Sequence, residues 1–347
     1  MRRLLCTTLL FSAGLAHAEV PRVATDIAPV HSLVSMVMQG AGSPDLIIPP
    51  GASPHSYAMR PSEARAVAKA DLVVWVGPSL APWLEEPMSS LAQGAERLTL
   101  QQVEGIRLLT NRSGVAFEAH DHGDHEGHED HDGHDDHAEH DDHEGHDHAD
   151  HADHDDHDHD AHEEADAHAG HNHAPGALDP HIWLDPQNAV VWLDAIAASL
   201  SAQDPENAAL YADNAAQAQA QLVDLQADIQ AELTPLRGQK FVVFHDAYHY
   251  FEARFDVEAS AAISLSDGAA PSAARLAEVR DVVKDTQAAC VFTEPQFNAG
   301  LVDALQDGTA LKSASLDPIG AALEPGVDMY PALLRDLAAA FSSCLAE

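Results

Sequence analysis

The sequence predicts an α/β protein of two lobes with parallel sheets, joined by one long rigid helix. Three observations carry this expectation. Short apolar runs alternate with helical stretches from Val20 onward and again from Phe241, the pattern that parallel strands with helical crossovers produce. Between these regions an alanine-rich stretch reaches from Asp204-Pro205-Glu206 to about Leu233, with Leu222, Leu225, Ile229 and Leu233 along one helical face. The chain has 347 residues and is 45% hydrophobic, enough for about two domains with buried cores.

At the amino terminus Met1-Arg2-Arg3, the apolar run Leu4 to Leu15 and Ala16-His17-Ala18 read as a secretory signal cleaved near Ala18. That run is too short to span a bilayer and no later one is long enough, so no direct membrane anchor is expected. A formal charge of -40 argues against nucleic acid or anionic membrane as partners and makes metal cations the natural attraction. Export to an oxidising compartment, most simply a bacterial periplasm, allows Cys290 to pair with Cys344 once Cys6 is removed; two buried thiols are the alternative.

In the first lobe, Val23 to Thr25, Leu46 to Ile48 and Leu72 to Val76 read as buried strands, with helices near Val30 to Gln39, Ser62 to Lys69 and Ala81 to Leu91. Ligands of such sheets bind beyond the carboxyl ends of the strands, and His55 lies a few residues past the second strand. From His120 to His173 the composition changes: 19 of the 25 histidines fall here among mainly Asp, Glu, Ala and Gly, with no large apolar residues to build a core. This segment, 118–175 with its flanks, reads as a disordered loop. A solvated acidic linker would not need neutral imidazoles, so metal collection is the expectation.

Asp179-Pro180-His181-Ile182-Trp183-Leu184-Asp185-Pro186 follows, and its prolines predict a rigid extended segment that holds His181 in place. Asn188 to Leu200 reads as a helix. The alanine-rich spine after it would be about 40 Å long at ~1.5 Å per residue, and Thr234-Pro235 and Gly238 stop it. The second lobe repeats the alternation: strands Phe241 to Phe244, Cys290 to Thr293 and Leu311 to Leu316; helices Ala247 to Arg254, Ser272 to Thr286 and Leu301 to Gln306; and a closing helix from Pro331 that carries Cys344. His245 falls at the end of the first of these strands and Asp317 at the end of the last. The expected organisation is a signal peptide at 1–18, a first lobe at 19–203, a connecting helix at 204–234 and a second lobe at 235–347.

His55, His181 and His245 are the three histidines in fixed settings, and they predict one metal ion held between the lobes. His249 is four residues past His245 and reads as an exposed histidine, and His31, within a helix, as inert.

Pro54-His55-Ser56-Tyr57, Asp179 to Pro186, His245-Asp246-Ala247-Tyr248, Thr293-Glu294-Pro295-Gln296-Phe297 and Leu316-Asp317-Pro318 resemble the metal-binding solute receptors of bacterial ABC importers, and among them the zinc branch, the ZnuA family. The likeness runs in order over nearly the whole mature chain. It implies two Rossmann-like lobes, a zinc ion as transported ligand, and delivery to an ABC permease with its cytoplasmic ATPase by a periplasmic monomer that is not an enzyme. The family's zinc histidines fall on His55, His181 and His245. A glutamate that precedes the first histidine in some members is Pro54 here, which leaves water or Asp317 as fourth ligand; Asp317 otherwise orients a histidine from behind. Glu294 reads as structural or permease-facing. Histidine at position 245, where manganese relatives place a carboxylate, favours zinc over manganese. A manganese receptor, a zinc hydrolase and a simple metal buffer are the competing readings. No helical His-Glu-x-x-His supports the hydrolase, and a buffer would need only the histidine run.

Overall fold

The computed structural model describes residues 20–114, 116–117, 176–264, 271–295, 302, 305–306 and 309–346. The signal sequence, the histidine-rich run and most of the helix expected over Leu301 to Gln306 lie outside the described residues.

Two parallel four-stranded sheets form the frame. In the first, β1 (Val23–Thr25) lies between β2 (Asp45–Leu46) and β3 (Leu72–Trp75), and β4 (Glu96–Thr99) pairs with β3 at the edge. In the second, β5 (Phe241–His245) lies between β6 (Ala261–Ser264) and β7 (Cys290–Thr293), and β8 (Lys312–Ser315) closes the edge. The central strands are continuous apolar runs because helices cover both of their faces. In each sheet the connections run one way from the first strand and then the other, which opens a crevice beyond the carboxyl ends of β1 and β3 and of β5 and β7.

Sequence reading omitted β4 and β6. β4 opens with Glu96 and Arg97, both exposed, and an edge strand needs no apolar run; β6 is Ala-Ala-Ile-Ser, too small in side chains to stand out from a loop. The second strand begins one residue earlier than expected, at Asp45, and stops at Leu46.

The helices are α1 (Ala28–Val37), α2 (Pro61–Lys69), α3 (Glu85–Leu91), α4 (Pro186–Gln203), α5 (Ala208–Leu233), α6 (His249–Phe255), α7 (Ala273–Thr286) and α8 (Met329–Leu345). Prolines at the starts of α2 and α4 sit where their missing N–H costs nothing. α5 is the long spine, 26 residues of mainly Ala, Gln and Leu. Asp204 sets its start: its carboxylate accepts from Tyr211 Oη at 2.8 Å and from the Asn207 side chain at 2.7 Å. α5 buries Leu222, Leu225, Ile229 and Leu233, the face its spacing predicts.

One continuous apolar core runs from β1 and α1 through α4 and α5 to β5, β7 and α8, with a smaller cluster on the far side of the second sheet. Polar ties cross the same region. Trp183 Nε1 donates to Pro318 O at 2.8 Å, and Tyr330 Oη donates to Trp183 O at 2.6 Å. A disulfide joins Cys290 on β7 to Cys344 on α8, with Cα atoms 6.0 Å apart. The bridge fastens the closing helix to a central strand, as the expected pairing requires.

Candidate metal centre

His245 is the last residue of β5, and its place follows from the strand itself: a buried Phe-Val-Val-Phe run ends at the crevice. His181 is held differently. The expected extended segment is instead a turn, with His181 at φ -81°, ψ 36° leading into a single 3₁₀ turn, Ile182–Leu184. Prolines do fix its ends, but Asp179 decides the turn, because its Oδ1 accepts from both the backbone N of His181, at 3.0 Å, and Nδ1 of the ring, at 2.8 Å. His55 sits on the irregular stretch between β2 and α2. That stretch is fixed by Trp83 Nε1 donating to Pro54 O at 2.8 Å and by Tyr57 Oη donating to the Glu63 carboxylate at 2.8 Å.

The three rings converge. Their centroids are 5.5, 6.1 and 5.0 Å apart, and one ring nitrogen from each lies within 4.8 Å of the others. Among the described residues this is the one group of three or more His, Cys, Asp or Glu so placed. A tetrahedral zinc ion with nitrogens at ~2.05 Å sets them about 3.3 Å apart, so small ring rotations suffice to close on an ion. All three side chains are 2–3% exposed, and the cavity between them is about 10 Å³, the room of a single water-sized occupant. A larger depression of about 540 Å³, lined by Arg22, Asp71 and Glu96, lies at the amino ends of the first sheet's strands, away from the ligand end.

Asp317 is not brought into this group. Its Oδ1 accepts from the backbone N of Ile319 and Gly320, at 3.1 and 2.9 Å, and its Oδ2 accepts from that of Ala321, at 2.6 Å. The carboxylate thus caps a tight turn in which Gly320, at φ +66°, takes a left-handed conformation that a residue with a Cβ rarely adopts.

Two residues play parts that the sequence did not reveal. His249, expected to be exposed, is 7% exposed; α6 begins at this residue, two later than expected, and turns its Nδ1 to within 3.6 Å of Asp179 Oδ2. Glu294 is buried beside the cleft, its Oε1 3.7 Å from His245 Nδ1. Its position just after β7, next to β5 in the sheet, was the available signal; strand order is what turned it into proximity. Burial pushes the Asp179 carboxyl up, but the facing imidazoles of His181 and His249 outweigh that and hold it well below the usual carboxylate range. Burial, reinforced by the charges of Glu294 and Asp317, raises the Tyr248 phenol, so it stays neutral beside the site. His31 is part of the packing: its Nε2 lies 3.1 Å from Pro44 O.

Three buried imidazoles with a cavity for one small occupant suit a borderline metal ion better than a hard, oxygen-preferring one. The family model described as zinc-uptake complex component A, periplasmic, matches residues 23–344. The high-affinity zinc uptake system protein ZnuA of Brucella suis is 44% identical over 97% of this chain and 95% of its own. That of Paracoccus denitrificans is 45% identical over 95% and 93%. A crystal structure of ZnuA superposes with a TM-score of 0.68 over 94% of this chain and all of its own at 21% identity, a likeness of fold.

Proposed function

The chain belongs to the ZnuA family of periplasmic zinc-uptake components, and from that premise we propose that it binds Zn²⁺ through His55, His181 and His245 and presents the ion to its permease. It is a periplasmic zinc receptor of an ABC importer that works with a permease and a cytoplasmic ATPase. The observation that carries the site assignment is the convergence of three buried ring nitrogens within 4.8 Å. Water completes the tetrahedron in this reading, since the oxygens of Asp317 are held by backbone N–H groups. An exchangeable fourth position suits a cargo that must be given up, as it suits catalytic zinc sites that exchange a ligand.

The protein acts as a monomer without a membrane anchor of its own, after cleavage near Ala18; among the described residues no helix is long and apolar enough to cross a membrane. The first lobe (19–203), connecting helix (204–234) and second lobe (235–347) act as one frame, supported by the apolar core that α5 shares with both sheets. Release therefore proceeds through local movement around the site in place of a wide hinge swing.

Competition titration with a chelator tests the assignment. Zinc should be preferred to manganese by a wide margin at neutral pH, and affinity should fall as pH drops toward ~6 because the ligands must be unprotonated. Alanine at His55, His181 or His245 should each weaken the tight site at least ~10-fold. A preference for manganese, or a histidine whose loss changes nothing, would remove the metal or that residue from the reading.

A further inference from the structure

The two central strands of the second sheet end side by side, β5 at His245 and β7 one residue before Glu294. This puts a buried carboxylate behind His245, 3.7 Å from Nδ1. Across the cleft, Asp179 stands behind His181 at 2.8 Å, also on the Nδ1 side. Asp179 and Glu294 are 1% and 3% exposed. Resting on the zinc reading above, we propose that Asp179 and Glu294 are the positioning carboxylates of the site: each faces the Nδ1 side of one imidazole, which leaves Nε2 to the ion, and their charges together make the cleft selective for a divalent cation.

The two act by different means. Asp179 accepts the Nδ1 hydrogen bond, which selects the tautomer whose lone pair lies on Nε2 and fixes the ring plane. Glu294, at 3.7 Å, is within ion-pair range and beyond hydrogen-bond range, so its effect on His245 and the ion is that of charge. The other charged groups near the cleft do not duplicate this. His249 faces the second oxygen of Asp179, Asp317 is spent on three backbone N–H groups, and Arg112 pairs with Asp246 and Glu252.

Imidazole suits both copper and zinc, and three neutral rings alone carry no charge that would favour Zn²⁺ over a monovalent ion such as Cu⁺. Two carboxylates behind the ring nitrogens change that balance, because burying negative charge is costly and a dication at the cleft offsets twice as much of it as a monovalent ion does. The Coulomb energy between a carboxylate and the ion scales with the ion's charge. Loss of one carboxylate should therefore reduce the logarithm of zinc affinity about twice as much as that of copper(I) affinity.

The experiment uses the full mature chain and a chelator competition that reads the tightest site, with Zn²⁺ and Cu⁺ in turn, for the wild type and the near-isosteric variants Glu294→Gln and Asp179→Asn. Zinc binding should weaken roughly 10- to 100-fold in each variant, and copper(I) binding only ~3- to 10-fold. An unchanged zinc affinity in either variant, or an equal fold loss for both ions in Glu294→Gln, would overturn the proposal. A wild type without a tight zinc site would instead sink the three-histidine reading on which it rests. Nitrogen chemical shifts of the metal-free wild type at pH 8 give a second reading that needs no variant to fold. His181 should carry its proton on Nδ1, and a proton on Nε2 would refute the role given to Asp179.

Discussion

Arg254 on α6 donates through Nε and Nη2 to the two oxygens of Asp185, at 2.6 and 2.7 Å, while Asp185 accepts from Gln187 N at 2.9 Å at the start of α4. The pair links the helix after His245 to the segment that carries His181, and Asp185 is fully buried. Arg254→Ala would leave a buried carboxylate without its cation, a loss that costs about 3–5 kcal/mol. Urea unfolding of the metal-free protein should show it, and Arg254→Lys should lose less, since one of the two parallel bonds can be kept.

Asp26, at the carboxyl end of β1, gives a pH signature. Burial pushes its carboxyl from 3.8 up to about 7, against the lowering effect of hydrogen bonds from Val76 N and Ile27 N. In the unfolded chain the group loses its proton near 3.8, while the folded protein keeps it until about 7. Between these values the folded state binds the extra proton, so stability falls as pH rises and levels off above 7. The shift corresponds to on the order of 4 kcal/mol. Asp26→Asn should remove this component, so the stability of wild type relative to variant should decline between pH 4 and 7. A difference that stays constant over that range would count against it.

The bridge between Cys290 and Cys344 closes a loop of 54 positions. Thiol labelling of the unfolded, unreduced mature protein should find no free cysteine. Reduction should lower stability by about 4 kcal/mol on the loop-closure model. Two labelled thiols would refute the pairing.

The histidine run and the cleft should bind zinc in different ways. If the run is disordered, as its composition predicts, each site in it has to order several residues, at roughly 1–2 kcal/mol apiece, whereas the cleft histidines are already fixed by β5, Asp179 and Trp83. Removing residues 120–173 should cut zinc stoichiometry to one and leave the tightest affinity nearly unchanged. Uptake in cells should then suffer mainly when zinc is scarce. Loss of the tight site in the truncated protein would mean that the run supplies a ligand.

The sequence by itself determined what depends on near neighbours in the chain. Apolar runs such as Phe241 to Phe244 set the buried parallel strands, the alanine-rich stretch set α5, and strand-end position singled out His245. His55 stood out for its place just past the second strand and His181 because prolines flank its segment, although the turn at His181 came from a side chain of Asp179 and not from the prolines. Tertiary structure alone decided what stands behind those histidines. Glu294 lies 49 positions from His245 and reaches it because β7 pairs with β5; His249 is buried because α6 packs against Asp179; and Asp317 turns its oxygens to Ile319, Gly320 and Ala321. Propensity and periodicity are set by residues a few places apart, whereas the charge and orientation behind a ligand are set by the order in which distant strands join a sheet.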